Sequence, residues 1–266
     1  MRIWQADFYK HSYPDEQKQI FWELLICDSN GSILHEAKCL QSKANSDWLV
    51  AQLQEAAKEK LPDLIQVFRP QSVGLLTTAS EDLGIKVEAT RRTTALKAEL
   101  EKRGITVQLD KPPPQALPEN LWGEEWRFAA LPAGEIIDSF RSRPIPILDI
   151  PEFLCPMNFG ISSTTPVPGV VIYGGRRAMY LARWLQNEKP IALKYIPTEI
   201  SQSGGVILET GLVDRWIVTT FEDLEVAKAA QIYEQRKQAS KGLHFLLVQP
   251  DDSGMTYSGF WLLLEE

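Results

Sequence analysis

The stretch Ile20–Leu40, IFWELLIC-DSNG-SILHEAKCL, decides how the first half of the chain folds. Ile20–Cys27 is an apolar, β-prone run. It ends in Asp28-Ser29-Asn30-Gly31, where Asn-Gly marks a tight hairpin because such turns require positive φ. Ile33–Leu40 returns as the partner strand. Upstream, Ile3–Tyr9 reads as one more strand. Downstream, the pattern changes from period 2 to helical spacing. Asn45 or Ser46 can cap a helix that carries Leu49, Leu53 and Ala56 on one face and stops near Pro62. Leu64–Phe68 is a short buried strand, Ser72–Leu83 a helix, and Ile85–Ala89 a further strand. Thr93–Arg103 is a helix with Leu96 and Leu100 inward and Gly104 at its C-cap. The order βββαβαβα is that of a ribonuclease H-like α/β domain, by analogy of element order.

Lys111–Pro118 (KPPPQALP) separates this half from the next, since proline lacks the amide donor that helices and central strands need. The expected organisation is an N-terminal domain over residues 1–110, a Pro-rich linker over 111–118 and a C-terminal domain over 119–266. Both domains read as α/β, the second as a mixed sheet with helices. Within it, the Pro-rich stretch 143–169 is an ordered, irregular arm, because Ile145, Ile147, Phe153, Leu154 and Phe159 are too apolar for a free linker. Strands are expected at Val170–Tyr173, Ile191–Tyr195, Val206–Leu208, Trp216–Thr219, Leu243–Val248 and Phe260–Leu264. Helices are expected at Arg176–Asn187 and from a capping box at Thr220 and Asp223 to near Ser240.

Composition limits the function classes. The 266 residues carry 28 basic and 35 acidic side chains, a net charge of −7. Neither half is a polycation, so any contact with a polyanion must use a local basic patch. Three cysteines with no C-x-x-C spacing read as reduced thiols in a cytosolic compartment. Cys27 and Cys39 fall on neighbouring strands, within possible reach of each other. The N-terminus carries no secretory pattern, and no run of apolar residues is long enough to span a membrane.

One local pattern occurs in both halves. Val87-Glu-Ala-Thr-Arg91-Arg92 and Val171-Ile-Tyr-Gly-Gly-Arg176-Arg177 each join a strand end, an Arg-Arg pair and a helix. Leucines follow each second arginine by four and eight positions: Leu96 and Leu100, then Leu181 and Leu185. A β-prone run, ITVQL or IALKY, follows each helix. Free amides at a helix N-terminus favour an anion, and Gly174-Gly175 would let a phosphate approach the backbone. Guanidinium forks suit phosphate or stacking on a base. The alternative is that the arginines are surface residues or pair with acids such as Glu88.

Catalytic patterns fare worse. Metal-dependent hydrolysis would need carboxylates converging from Asp7, Glu23 or Glu55, yet Arg69 stands where the fourth strand should supply an acid. The three histidines lie apart in sequence, and His244, between Leu243 and Phe245, fits a core or edge position. No nucleophile elbow, P-loop or dinucleotide fingerprint is present, so no enzyme activity and no cofactor are expected. The chain ends GFWLLLEE, where Phe260 and Trp261 fit a closing strand with alternate residues buried and Trp261 available for stacking if it faced outward.

Taken together, WQADF, FWELLICD, EDLGIKVEATRR, LPENLWGEEW, PGVVIYGGRRAMYLARWL, LETGLVDRW, KGLHFLLVQ and the terminal GFWLL resemble the TAB-type RNA-binding family. Its members are chloroplast and cyanobacterial factors for translation of a photosystem I reaction-centre mRNA. The resemblance runs in family order over most of the chain. It implies a non-catalytic RNA-binding protein that acts in translation and photosystem assembly, with an mRNA 5′ leader as partner and the ribosome or photosystem assembly factors as further candidates. It also implies that Trp261, Leu262 and Leu263 contribute to RNA binding. Arg69, Arg91, Arg92, Arg176 and Arg177 complete the expected RNA-contact set. Family members tend to carry Pro-Ser before the first Arg pair, whereas this chain has Ala89-Thr90. A chain that enters the first matching segment at Ile3 fits a cyanobacterial, cytoplasmic member. Alternatives to RNA binding are a protein-binding scaffold, which the acidic balance suits, and a metal-dependent nuclease.

Overall fold

The computed structural model describes residues 1–11, 19–58, 60–105, 109–198 and 203–265. The chain divides into two compact α/β units, Met1–Asp110 and Lys111–Glu266.

In the first unit, β1 (Ile3–Lys10), β2 (Phe21–Asp28) and β3 (Ile33–Leu40) form an antiparallel meander. The β2–β3 turn places Gly31 at φ +90°, and Asp28 Oδ1 accepts from the amides of Asn30 and Ser32, both at 2.9 Å. α1 (Ser46–Ala57) follows, capped by Asn45, whose side chain accepts from Trp48 N. Then come β4 (Leu64–Val67), α2 (Pro70–Glu81), β5 (Lys86–Ala89) and α3 (Thr94–Lys102). β4 and β5 run parallel to β1, giving the order β3-β2-β1-β4-β5. Trp4, Ala6 and Phe8 alternate along β1 into one core with Leu49 and Leu53 of α1 and Leu76 of α2. Gln5, between them, accepts from Leu96 N of α3. Cys27 stands opposite Ile33 and Cys39 opposite Trp22, so the two thiols lie at opposite ends of the β2–β3 ladder and do not meet. Of the ITVQL run, residues 106–108 lie outside the described residues.

The second unit begins with β6 (Gln115–Ala116), β7 (Glu125–Pro132), α4 (Ile136–Arg141) and β8 (Ile147–Asp149). β9 (Pro166–Tyr173), α5 (Ala178–Glu188), β10 (Pro190–Pro197), β11 (Gly204–Thr210) and β12 (Asp214–Phe221) follow. α6 (Leu224–Ala239), β13 (Leu243–Gln249) and β14 (Gly259–Leu264) end it. They build two sheets, β10-β11-β12-β6 and β7-β9-β13-β14-β8. The proline-rich stretch after Lys111 is part of this unit: Gln115 and Ala116 pair with β12, and Lys111 Nζ binds the buried carboxylate of Glu209 at 2.9 Å. β9 starts inside the proline-rich arm. Pro166 and Pro168 pair with β7 but precede Gly169, where pairing with β13 begins, so their missing donors cost that ladder nothing.

The second sheet has apolar layers on both faces. Val170, Ile172, Leu246, Val248, Trp261 and Leu263 point to one, shared with α5 and the other sheet. Val171, Phe245, Leu247, Phe260 and Leu262 point to the other, closed by Ile136 and Phe140 of α4 and by Ile145 and Leu154 of the arm. The helix after β12 is capped by Asp223 alone, whose Oδ1 accepts from Glu225 N and Val226 N; Thr220 belongs to β12. His244 is fully buried. Its Nε2 accepts from Leu193 N at 2.8 Å and its Nδ1 donates to the Gly242 carbonyl at 2.7 Å, so the imidazole is neutral and fixed in one tautomer. Burial lowers its pKa to about 3.

Candidate functional site

In the first unit, the carboxyl ends of β1, β4 and β5 bring charged groups together. Asp7, wholly buried, accepts from Arg69 through Nε to Oδ1 at 2.9 Å, Nε to Oδ2 at 3.2 Å and Nη2 to Oδ2 at 2.8 Å. The Ser72 hydroxyl lies 3.3 Å from the same Oδ1. The Arg69 guanidinium also lies over the rings of Tyr9 and Phe68. A carboxylate held by a planar fork in this way is neutralised in place, where a hydrolytic metal centre would need it free. Glu23, the second acid in line for such a centre, is engaged as well. It is bonded by His11 Nε2 at 2.6 Å and Arg103 Nη1 at 3.1 Å, with Lys38 at 3.5 Å. Glu55 is exposed on α1. Among the described residues, no three His, Cys, Asp or Glu side chains are grouped to hold a metal ion.

Arg103 is a residue that sequence reasoning passed over. It binds Glu23, Glu36 and Glu99 at 3.0–3.1 Å, and its bond to Glu36 holds that carboxyl below its usual range. Glu99 of α3 is one helical turn before Arg103, while Glu23 and Glu36 come from β2 and β3 and are brought together by the antiparallel register.

The first Arg pair follows β5. Arg91 is buried and Arg92 half-buried. Thr90 N extends the ladder to the Val67 carbonyl, Thr93 N donates to the Arg91 carbonyl, and Arg92 N donates to Thr90 Oγ1. At the start of α3, where an anion was expected, the Gln5 side chain takes the Leu96 amide. The first pair is therefore set into the protein, and its turn does not present two open forks.

The second pair lies between β9 and α5 in the second unit. Arg176 and Arg177 are both exposed, and neither guanidinium makes a hydrogen bond or ion pair among the described residues. The glycines before them do a different job from the one expected. Gly174 N donates to the Gln249 carbonyl and Gly175 N to the Pro250 carbonyl, so neither amide is open to a phosphate. A Cβ at Gly174 would sit 2.5 Å from Ala178 Cα, and one at Gly175, at φ +52°, 2.0 Å from the Glu124 carboxylate. The glycines let the turn fold against its own helix and against Glu124.

Around this turn the surface is aromatic as well as basic. Trp122 and Tyr180 are each 55% exposed. The Trp122 indole is pinned by its Nε1 donating to the Leu117 carbonyl at 2.8 Å, and Asn120 Nδ2 donates to the Tyr180 hydroxyl at 3.3 Å. Beside Trp122 opens a cavity of about 430 Å³ walled by Trp126, Ile172, Leu181 and Val218, with Thr219 and Thr220 among its polar groups.

The terminal Trp-Leu-Leu lies elsewhere than the stacking role required. β14 is flanked by β13 and β8, and Trp261, Leu262 and Leu263 are all buried. Trp261 therefore presents no face to a base. The expectation of alternate burial fails because this sheet is covered on both sides. Trp261 shares its core with Ile172 and Leu181, two walls of the cavity.

Comparison with known proteins covers almost the whole chain. Residues 3–103 match the family model described as RNA-binding protein Tab2/Atab2 N terminal, and residues 105–264 match that of the Tab2/Atab2 C-terminal domain. The maize Protein TAB2 homolog, chloroplastic, is 30% identical over 289 residues, spanning all of this chain and 72% of that protein. The Arabidopsis thaliana protein of the same name is 28% identical over 287 residues, all of this chain and 75% of its own length. No solved structure matches.

Proposed function

The chain belongs to the Tab2/Atab2 family of RNA-binding proteins, and on that footing we propose that it binds the 5′ leader of a photosystem reaction-centre mRNA and promotes its translation and the assembly of the photosystem, without catalysis. The observation that carries this reading is the exposed Arg176–Arg177 pair beside the exposed rings of Trp122 and Tyr180. Guanidinium groups for phosphate and aromatic faces for bases are what single-stranded RNA requires of a protein surface. Local recognition of this kind also suits a net charge of −7, which rules out a bulk electrostatic grip.

Arg91, Arg92 and Arg69 enter this reading as supporting residues. Arg69 is held at the end of β4 by Asp7, and the Arg91–Arg92 turn follows β5 with Arg91 buried and Arg92 half-buried. The terminal Trp-Leu-Leu acts through the fold, with Trp261 backing the cavity walls Ile172 and Leu181. We read the first unit as a ribonuclease H-like domain, 1–110, whose Asp7 is tied to Arg69. The supporting features are its β3-β2-β1-β4-β5 order and the two faces of β1, one packed under α1 and α2, the other bonded to α3. The remainder is a linker-led second domain with its arm at 143–169. Three buried free thiols suit a reducing compartment, here the cytoplasm of a cyanobacterium.

A gel-shift or anisotropy titration of the folded chain against a labelled reaction-centre leader, at physiological salt, tests the reading. Binding at micromolar or tighter is expected, with affinity falling as salt rises. No binding at that concentration would leave the scaffold reading, which the acidic charge favours.

A further inference from the structure

We infer that the cavity beside Trp122 is a nucleobase site: it takes one unstacked base of single-stranded RNA, whose flanking phosphates lie on Arg176 and Arg177. The inference rests on the RNA-binding reading and assigns that surface its ligand. The volume, about 430 Å³, is in the range of small-ligand sites. Two indoles line it. Trp126 is half-buried against Phe128 and Phe221 and forms a fixed wall. Trp122 is more than half exposed, yet its Nε1 bond to Leu117 holds the ring in place, so stacking on it costs little ordering entropy. The remaining walls, Ile172, Leu181 and Val218, are apolar, and Thr219 and Thr220 also line the cavity.

The link from cavity to arginines is short. Ile172, a wall residue, lies on β9 two residues before Gly174. Gly175 touches the Glu124 carboxylate, and Glu124 is flanked by two more lining residues, Gly123 and Glu125. The arginines therefore follow the turn next to the Gly123–Glu125 edge of the cavity, where they carry the charge opposite to an RNA backbone and Glu124 and Glu125 carry the same charge. An apolar pocket for a base with guanidinium groups at its edge is the arrangement that base-plus-phosphate recognition needs.

The test uses the full chain and a fluorescein-labelled U-rich 20-mer RNA, titrated at several salt concentrations. Trp122→Ala is expected to weaken binding about tenfold with the salt slope unchanged, since stacking on the ring holds a base and releases no counterions. Trp122→Phe, which keeps a ring, should retain most of the affinity. Val218→Phe, which fills the cavity while leaving Trp122 in place, should lose as much as Trp122→Ala. Circular dichroism confirms that each variant is folded. Wild-type binding with Trp122→Ala and Val218→Phe both unaffected would overturn the base site and leave RNA binding standing. A wild-type chain that binds neither this RNA nor the leader would overturn both. A cavity that serves instead as a contact between two copies of the chain would appear as a Trp122-dependent dimer in sedimentation, with RNA affinity unmoved, and would also overturn it.

Discussion

The two Arg-Arg turns share a local pattern and differ in what surrounds them. Arg91 is buried where β5 meets α3, whereas Arg176 and Arg177 stand in solvent before α5. At the first turn the Leu96 amide is taken by a side chain, Gln5; at the second the glycine amides are taken by the carbonyls of Gln249 and Pro250. Neither turn is an open anion cradle, although strand, Arg pair and helix are in place at both. The same short motif can therefore serve as a structural joint in one domain and as a binding edge in another. Exposure of the guanidinium groups and nearby aromatic rings tell the two apart.

Four experiments bear on this contrast. The largest effect is expected from Arg69→Ala, which strips the buried Asp7 carboxylate of its partner; unpaired buried charge costs about 3–5 kcal/mol, read as a lower urea midpoint for the first unit. An unchanged midpoint would mean that the charged cluster of the first unit is not structural.

Next comes acid. His244, in the second unit, is neutral when folded, with its pKa lowered to about 3 by burial, while the unfolded chain protonates near 6.5. Because the unfolded state binds the extra proton, stability is full above about pH 6.5 and falls as pH drops toward 3, by up to about 1.4 kcal/mol per unit. His244→Gln should flatten that dependence in a thermal-melt series, and a wild-type second unit equally stable at pH 5 and 7 would refute the neutral imidazole.

The arginines themselves come third. Arg176→Ala with Arg177→Ala should lower leader-RNA affinity about tenfold and reduce the salt slope by about 1.4, at 0.7 per contact, with melting unchanged. Arg91→Ala should do the reverse, losing stability and leaving the slope alone. If the two variants behave alike, the contrast between the turns is false. The smallest effect is expected from Glu124→Gln: removing a carboxylate from the Gly175 turn should tighten RNA binding about twofold in the same titration.

Much of the architecture was legible because it depends on local signals. The Asn30-Gly31 turn, the Asn45 cap and the spacing of Leu49, Leu53 and Ala56 each report nearby physics, and each has its counterpart in the structure. β7 and α4 were missed because neither has a clean period. β7 carries partly buried residues along much of its length, and α4 has only six residues. The start of β9 was hidden by prolines whose missing donors matter only if a neighbour needs them. At the site, the Arg pairs could be found in the sequence and their burial could not. Trp122 and Trp126 lay within a segment quoted for its resemblance, with nothing local to show that they line a cavity.

The sequence by itself determined the family, the α/β character of both halves and the places where arginines meet helix starts, since these follow from residue types at short separations. Only the tertiary structure decided which of those arginines reach solvent. It tied Asp7 to Arg69, sixty-two residues away, and brought Glu23 and Glu36 to Arg103. It also put Trp261 in the core in place of the surface, because β14 lies inside a sheet covered on both faces. Exposure and charge pairing depend on which distant segments pack together, and no local window of residues contains that.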